Sequence, residues 1–100
     1  DPIRLLKGHT NSVTSAMFNL SGDTIVTSSY DNTAKIWDTE TGEIIATLAE
    51  HKAFVKSAAF NKAGNRVITS SNDKTAIIWG INQDFDYLDK DTDELPCCIQ

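Results

Sequence analysis

Short runs of β-branched and apolar residues alternate with clusters of turn-forming residues along the first eighty positions. The runs include "VTSAMF", "TIVTSS" and "TAKIW", and the clusters include "NLSGD", "YDN" and "DTETG". Each run is shorter than the ten or more uninterrupted residues that a helix would need, so the pattern predicts β-strands. We place the strands at about residues 3–7, 13–19, 24–29, 33–38, 43–48, 55–61, 66–71 and 75–80.

The chain repeats itself with an offset of 42 residues. Residues 5–38 align with residues 47–80 without a gap, and sixteen of the thirty-four positions are identical. A period of this length is typical of a four-stranded propeller blade, and also of a pair of HEAT-type helices. The predicted strands favour the blade. We therefore expect an all-β fold of two four-stranded antiparallel β-propeller blades, which form part of a larger propeller or are completed by other copies.

Several short motifs within the repeat resemble those of the WD-repeat (WD40) family. They are "GH" at residues 8–9, "SGD" at residues 21–23, Asp31, and "IWD" at residues 36–38. The second copy departs from the family pattern at Glu50, which stands in place of glycine, and at Gly80, which replaces the closing aspartate. The resemblance covers residues 3–80 and implies two tandem WD repeats, at about residues 3–42 and 45–81.

Both repeats carry the same four side chains at the same spacing. The two sets are His9, Thr27, Asp31 and Trp37, and His51, Thr69, Asp73 and Trp79. An imidazole, a hydroxyl and a carboxylate are the components of a nucleophilic triad. A full set in every repeat is unusual for catalysis, whereas a chain of hydrogen bonds that satisfies buried polar groups explains the repetition. We therefore predict a structural hydrogen-bond network and no catalytic residue, as the resemblance also implies.

The charge of the chain is unevenly distributed. The net charge is −5; residues 1–80 contain eight Lys or Arg and eight Asp or Glu, whereas residues 81–100 contain one Lys and six acids. A neutral repeat region has no basic face for nucleic acid, so we expect no nucleic-acid partner. The two histidines do not match a metal-ligand spacing and no glycine-rich phosphate loop is present, so we expect neither a metal nor a cofactor.

The last twenty residues differ in character from the repeats. We expect residues 1–81 to contain the two repeats and residues 82–100 to form an acidic, poorly ordered tail. The only two cysteines are adjacent, at 97 and 98, so no disulfide framework is expected, and we predict a cytoplasmic location. The final "CCIQ" fits a prenylation motif with Cys97 as the acceptor, and a membrane partner is expected only if that cysteine is modified.

The resemblance implies that the chain binds proteins or peptides through the loops at one end of the blades. The candidate residues on that face are Asn11, Ser12, Tyr30, Ala53, Phe54 and Asn72. Tyr30 and Phe54 are the strongest candidates because exposed aromatics provide large contact areas, although packing against a neighbouring blade would equally explain them. Met17 and Phe18, which lie within a strand, are expected in the core.

Three functions remain open at this stage. The first is a noncatalytic interaction scaffold whose propeller is closed by further WD repeats in the same chain or by other copies. The second is the noncatalytic part of a larger enzyme that contains a propeller, since a fold does not determine a function. The third is a membrane-tethered adaptor, anchored by a prenyl group on Cys97.

Overall fold

The computed structural model describes residues 3–81, which form two antiparallel β-sheets in a simple up-and-down order. The first sheet has the order β1-β2-β3-β4 and the second has the order β5-β6-β7. The strands are β1 (Val13–Phe18), β2 (Thr24–Ser29), β3 (Ala34–Asp38), β4 (Ile44–Leu48), β5 (Val55–Phe60), β6 (Arg66–Ser71) and β7 (Ala76–Gly80). The prediction of an all-β fold is confirmed, and these seven strands lie within one residue of their predicted bounds.

One sequence expectation about strands is wrong for the described residues. Residues 3–7 do not form a strand, because a strand needs a hydrogen-bonded neighbour and neither sheet pairs with this segment. Its Arg4 guanidinium instead donates to the carbonyl of Glu40 in the β3–β4 turn. Among the described residues the second sheet has three strands, which are those predicted at residues 55–61, 66–71 and 75–80.

The core lies between the two sheets. Cross-strand partners share a face of a sheet, so the pairing of Val26 with Ile36 places both on the face of the first sheet that meets the second. Burial of these apolar side chains supplies the main stabilisation, at roughly 25 cal/mol per Å² of apolar surface. The buried cluster consists of Val26, Ala34, Ile36, Leu48, Ala58, Phe60 and Val67.

One polar contact crosses between the sheets within this apolar packing. The hydroxyl of Thr14, in β1, donates to the carbonyl of Val55, in β5, at 2.7 Å. The side chain of Ser28, in β2, lies 2.6 Å from the same hydroxyl. Because Thr14 is partly buried, the contact satisfies a polar group that would otherwise face an apolar interior.

The expectation that Met17 and Phe18 belong to the core is wrong in this chain. Phe18 points away from the second sheet and is 58% exposed, whereas Phe60, which occupies the same position in the second repeat, faces the first sheet and is 7% exposed. Met17 pairs with Val26 and shares its face, but it lies on the edge strand β1 and is also exposed. The Phe18 position needs a neighbouring sheet to cover it, and only the second repeat has one on that side, whereas Met17 is exposed because of its place on the edge strand.

The tight turns after β2 and β6 each contain a residue in the left-handed region of backbone conformation. Asn32 has a φ of 76° and Lys74, 42 residues later, has a φ of 74°. Asparagine tolerates this region because its short polar side chain bonds locally, whereas lysine has no such compensation. The second turn is therefore more strained than the first.

We expect Lys74→Asn to raise the free energy of unfolding by about 0.5–1 kcal/mol, a part of the left-handed penalty. Lys74 is exposed, so the change disturbs little packing. The matched reverse change, Asn32→Lys, should lower stability by a similar amount. Urea denaturation followed by circular dichroism measures both, and an unchanged midpoint for Lys74→Asn would contradict the strain argument.

Candidate functional site

The first of the two repeated sets forms a continuous chain of hydrogen bonds. His9 lies in the segment before β1, Thr27 in β2, Asp31 in the β2–β3 turn and Trp37 in β3. The Nδ1 atom of His9 is 2.8 Å from Oδ2 of Asp31, and its Nε2 atom is 2.7 Å from the Thr27 hydroxyl. The indole N–H of Trp37 donates to that same hydroxyl at 2.8 Å. The structure thus brings all four side chains together.

The positions of the protons in this network follow from the hydrogen-bond partners of each group. The Thr27 hydroxyl accepts from the Trp37 N–H, so its own proton is free to be donated to Nε2 of His9. The other ring nitrogen, Nδ1, then carries a proton and donates it to the Asp31 carboxylate. A neutral imidazole with its proton on Nδ1 therefore satisfies every group in the chain of bonds.

The second set repeats this geometry closely. Nδ1 of His51 is 2.9 Å from Oδ2 of Asp73, and Nε2 of His51 is 2.7 Å from the Thr69 hydroxyl. The Trp79 N–H donates to Thr69 at 2.9 Å. Corresponding distances in the two sets agree to within 0.1 Å, so the network is a property of the repeat and not of one copy.

Asp31 is held as a carboxylate by donors from two segments. The backbone N–H of Thr10 donates to Oδ2, and the backbone N–H of Thr33 and the Thr33 hydroxyl both donate to Oδ1. Burial alone would raise the pKa of Asp31, but the bonds from Thr33, His9 and Thr10 outweigh it and hold the pKa well below its usual value. The aspartate therefore ties the segment before β1 to the β2–β3 turn.

Asp73 has the equivalent environment in the second repeat. The Thr75 hydroxyl is the main cause of its lowered pKa, and the backbone N–H of Lys52 and the His51 ring contribute in the same direction. Burial again opposes these bonds without overcoming them. Both turns are consequently built around an ionised carboxylate.

Sequence reasoning missed four residues that complete the network. Thr33 and Thr75 donate their hydroxyls to the aspartates. The Ser29 and Ser71 hydroxyls accept from the backbone N–H of Asp31 and Asp73, respectively, and they donate to carbonyls of the segments before β1 and β5. All four are identical between the repeats, so that identity was the available signal.

The geometry favours a structural role over nucleophilic chemistry. The Thr27 hydroxyl is already bonded to both His9 and Trp37, and Thr27 and Thr69 are buried. A nucleophile must be free to reach a substrate atom, whereas these hydroxyls lie inside the sheets.

Packing in the first repeat explains why a glycine, Gly8, precedes His9. A Cβ atom on Gly8 would lie 2.9 Å from Cδ1 of Ile44 and 3.2 Å from Cη2 of Trp37, closer than side chains normally approach. Glycine at this position therefore lets the indole pack tightly under the segment before β1. In the second repeat Glu50 occupies this position.

The six candidate partner-binding residues lie in the loops at one end of the two sheets. The backbone N–H of Tyr30 donates to the carbonyl of Ser12, and the backbone N–H of Asn72 donates to the carbonyl of Phe54. Each repeat therefore joins the loop before its first strand to its second turn. Asn11 and Ala53 precede Ser12 and Phe54 in the same loops.

The aromatic residues of these loops meet across the junction between the sheets. The ring centroids of Tyr30, from the β2–β3 turn, and Phe54, from the loop before β5, are 4.5 Å apart with an interplanar angle of 57°. Tyr30 remains 50% exposed and Phe54 is half-buried. The contact uses positions at which the repeats differ, since the equivalent residues are Asn72 and Ser12. The aromatic contact is therefore specific to the junction between the two sheets, and the repeat does not provide a second copy of it.

The sequence also raised the questions of metal binding, membrane insertion and lipidation. Among residues 3–81, no three His, Cys, Asp or Glu side chains lie together in a way that could hold a metal ion. No helix in this part of the chain is long and apolar enough to cross a membrane. The predicted lipidation site, Cys97, and the predicted acidic tail lie outside the described residues.

Comparison with known proteins gives a consistent picture. The profile of the family described as "WD domain, G-beta repeat" matches residues 1–38 and 42–80. A 49-residue segment, 49% of this chain, is 43% identical to Dynein assembly factor with WD repeat domains 1 of Xenopus laevis and 47% identical to the protein of that name from Danio rerio. A 46-residue segment, 46% of this chain, is 48% identical to Probable E3 ubiquitin ligase complex SCF subunit sconB of Aspergillus clavatus. The matches cover 12% of each of the first two proteins and 6% of the third, so this chain spans a small part of their length.

Proposed function

Because this chain belongs to the WD-repeat family, we propose that it is a noncatalytic scaffold segment that binds a protein or peptide partner through the loop end of its two sheets. The aromatic pair of Tyr30 and Phe54 forms the centre of the proposed site. The proposed site also includes Asn11, Ser12, Ala53 and Asn72, from the loops before β1 and β5 and from the β6–β7 turn. The hydrogen-bond networks beneath act as supports and transform no substrate.

The contact between a half-exposed Tyr30 and a half-buried Phe54 is the observation that carries this proposal. Binding hot spots are enriched in tyrosine and other large side chains, which provide contact area at low entropic cost. Tyr30 and Phe54 project from turns whose backbones are held by Asp31, Asp73 and their donors. A rigid support reduces the entropy lost on binding, so the site is preorganised for a partner.

The names of the relatives support a protein partner in a general way. One group is named for assembly of dynein and another for a subunit of a ubiquitin ligase complex. Both names describe proteins that work with other proteins. The identity of the partner for this chain is not specified by them, because the matched segments are a small part of each relative.

A peptide-display selection on the immobilised chain tests the proposed site. We expect enriched peptides whose affinity falls at least about tenfold in Tyr30→Ala and in Phe54→Ala, the size of loss typical of a hot-spot residue. Isothermal titration calorimetry with the selected peptides measures the loss. Circular dichroism of each variant verifies that the sheets are retained.

Two variants at exposed apolar residues elsewhere serve as controls. Leu20 lies in the β1–β2 turn, and Ile78 lies on the outer surface of β7. Leu20→Ala and Ile78→Ala should leave the affinity of the selected peptides unchanged. Peptides that bind equally well to Tyr30→Ala and Phe54→Ala would place recognition elsewhere and refute the proposal.

A further inference from the structure

One asparagine in the loop before β1 makes a hydrogen bond to the backbone of the next residue. The backbone N–H of Ser12 donates to Oδ1 of Asn11 at 2.7 Å. Because Oδ1 is bonded to the amide carbon Cγ, the Ser12 nitrogen lies next to an electrophilic carbon of the preceding residue. This nitrogen and this carbon are the atoms that join when an asparagine cyclises to a succinimide, the first step of deamidation.

The surroundings of the Asn11 amide suit this reaction. Since Oδ1 accepts the Ser12 N–H, the other amide substituent, Nδ2, points away from the Ser12 nitrogen and is placed to depart as ammonia. Asn11 and Ser12 are both exposed, so water reaches the amide. The Ser12 side chain is small and unbranched at Cβ, and it therefore shields its own backbone nitrogen little.

The backbone on either side of the contact is held in place. Three hydrogen bonds tie residues 10–12 to the end of β2 and to the turn after it. They join the Thr10 N–H to Oδ2 of Asp31, the Ser29 hydroxyl to the Asn11 carbonyl, and the Tyr30 N–H to the Ser12 carbonyl. Atoms that are held close together react faster than the same atoms in a flexible chain. The fold therefore favours cyclisation at this position.

The other described asparagines are arranged differently. The side-chain oxygens of Asn19 and Asn61 accept from backbone N–H groups farther along their turns. In a second group, the backbone N–H of the next residue donates to a different side chain, as at Asn32, Asn65 and Asn72. Among residues 3–81, the geometry that favours cyclisation is therefore specific to Asn11.

We propose that Asn11 is a site of spontaneous deamidation and isoaspartate formation in the folded chain. A hydroxide ion removes the proton from the Ser12 nitrogen, which attacks Cγ of Asn11. The new N–Cγ bond forms and the Cγ–Nδ2 bond breaks, and Nδ2 takes a proton from water and leaves as ammonia. Water then opens the succinimide at either of its carbonyls, which gives aspartate or isoaspartate at residue 11.

The products change the loop end of the first sheet. Either product replaces a neutral amide with a negative charge. Isoaspartate also brings Cβ of residue 11 into the main chain, so the backbone lengthens between two carbonyls that are each held by a hydrogen bond. Because the Ser12 carbonyl accepts from Tyr30, the change reaches the aromatic pair of Tyr30 and Phe54. The reaction itself does not depend on partner binding there.

Mass spectrometry of the full chain after incubation at mildly alkaline pH measures the reaction. Trypsin releases the peptide of residues 8–35, which contains Asn11, Asn19 and Asn32. Electron-transfer fragmentation locates the converted residue and distinguishes isoaspartate from aspartate. We expect conversion at Asn11 before conversion at Asn19 or Asn32, with isoaspartate among the products.

The same peptide, isolated before the incubation, separates the effect of the fold from the effect of the local sequence. The peptide keeps Asn11 and Ser12 but lacks the folded structure that positions them, so Asn11 should react about tenfold faster in the folded chain. A rate in the folded chain that is no higher than in the peptide overturns the proposal. Aspartate without isoaspartate also overturns it, because opening of a succinimide gives both.

A matched pair of serine variants tests the role of the anchored loop. Ser29→Ala removes the donor to the Asn11 carbonyl and should slow the reaction in the folded chain. Ser71→Ala is the equivalent change in the second repeat and should leave the rate at Asn11 unchanged. Circular dichroism verifies that both variants remain folded. Equal rates in the two variants would contradict the positioning argument and overturn the proposal.

Discussion

Trp37→Ala is expected to lower the free energy of unfolding by about 3–5 kcal/mol, the range for removing a large buried aromatic side chain. Trp37 is almost fully buried, and its indole packs beneath Gly8 and Ile44. The substitution leaves a cavity in the first sheet and removes the donor to the Thr27 hydroxyl. Small domains have total stabilities of about 5–15 kcal/mol, so the variant should lose much of its cooperative urea transition, measured by far-UV circular dichroism.

Two related substitutions separate packing from hydrogen bonding. Trp79→Ala should cost less than Trp37→Ala, because Trp79 is only half-buried. Trp37→Phe removes the N–H donor and part of the buried ring, so its cost should lie between about 1 kcal/mol, the value of the hydrogen bond, and the cost of Trp37→Ala. Equal losses for the two alanine variants would contradict the unequal burial of the two tryptophans.

Asp31→Ala is expected to destabilise the first repeat by about 3 kcal/mol. The substitution removes a charged acceptor and leaves several hydrogen-bond donors without a partner. These donors are the His9 ring, the backbone N–H groups of Thr10 and Thr33, and the Thr33 hydroxyl. The loss should appear as a lower urea midpoint with the sheet signal retained before the transition.

The same carboxylate should make stability depend on pH. Because the pKa of Asp31 is lower in the folded chain than in the unfolded chain, its contribution is present above the unfolded pKa of about 3.9 and is lost as the pH falls below it. Asp73 contributes in the same direction. We therefore expect the unfolding free energy of the parent to decline below about pH 5.

Isosteric amides test this origin of the pH dependence. Asp31→Asn should flatten the acid decline in part, and Asp31→Asn/Asp73→Asn should flatten it further. Glu43→Gln, at an exposed position in the β3–β4 turn, is the matched control and should leave the slope unchanged. An acid decline that persists undiminished in the double variant would show that other groups cause it.

Local patterns predicted the strands well. Strand bounds depend on residues next to each other in the sequence, such as the turn cluster at residues 19–23, where the Asn19 side chain bonds the backbone N–H groups of Gly22 and Thr24. The repeat showed which polar residues belong together. The structural contributions of Thr33 and Thr75 were visible in the same comparison, but hydroxyls two residues after an aspartate also fit an ordinary turn.

Features that depend on neighbouring sheets could not be predicted in this way. Phe18 and Phe60 have the same sequence surroundings but opposite exposure, because only one of them has a sheet packed against its face. The contact between Tyr30 and Phe54 joins residues from different repeats, so comparison of the repeats with each other does not reveal it. Residues 3–7 have a strand-like sequence, but their conformation depends on a hydrogen-bonding neighbour that no local pattern supplies.

The hydrogen bond from the Thr14 hydroxyl to the Val55 carbonyl affects how the two sheets are aligned. Apolar packing is non-directional, and two flat surfaces of valine, isoleucine and alanine can slide past each other with little change in buried area. A hydrogen bond of 2.7 Å loses most of its energy after a displacement of about 1 Å. This hydrogen bond therefore opposes sliding of one sheet along the other. It helps to keep the loops that carry Tyr30 and Phe54 next to each other.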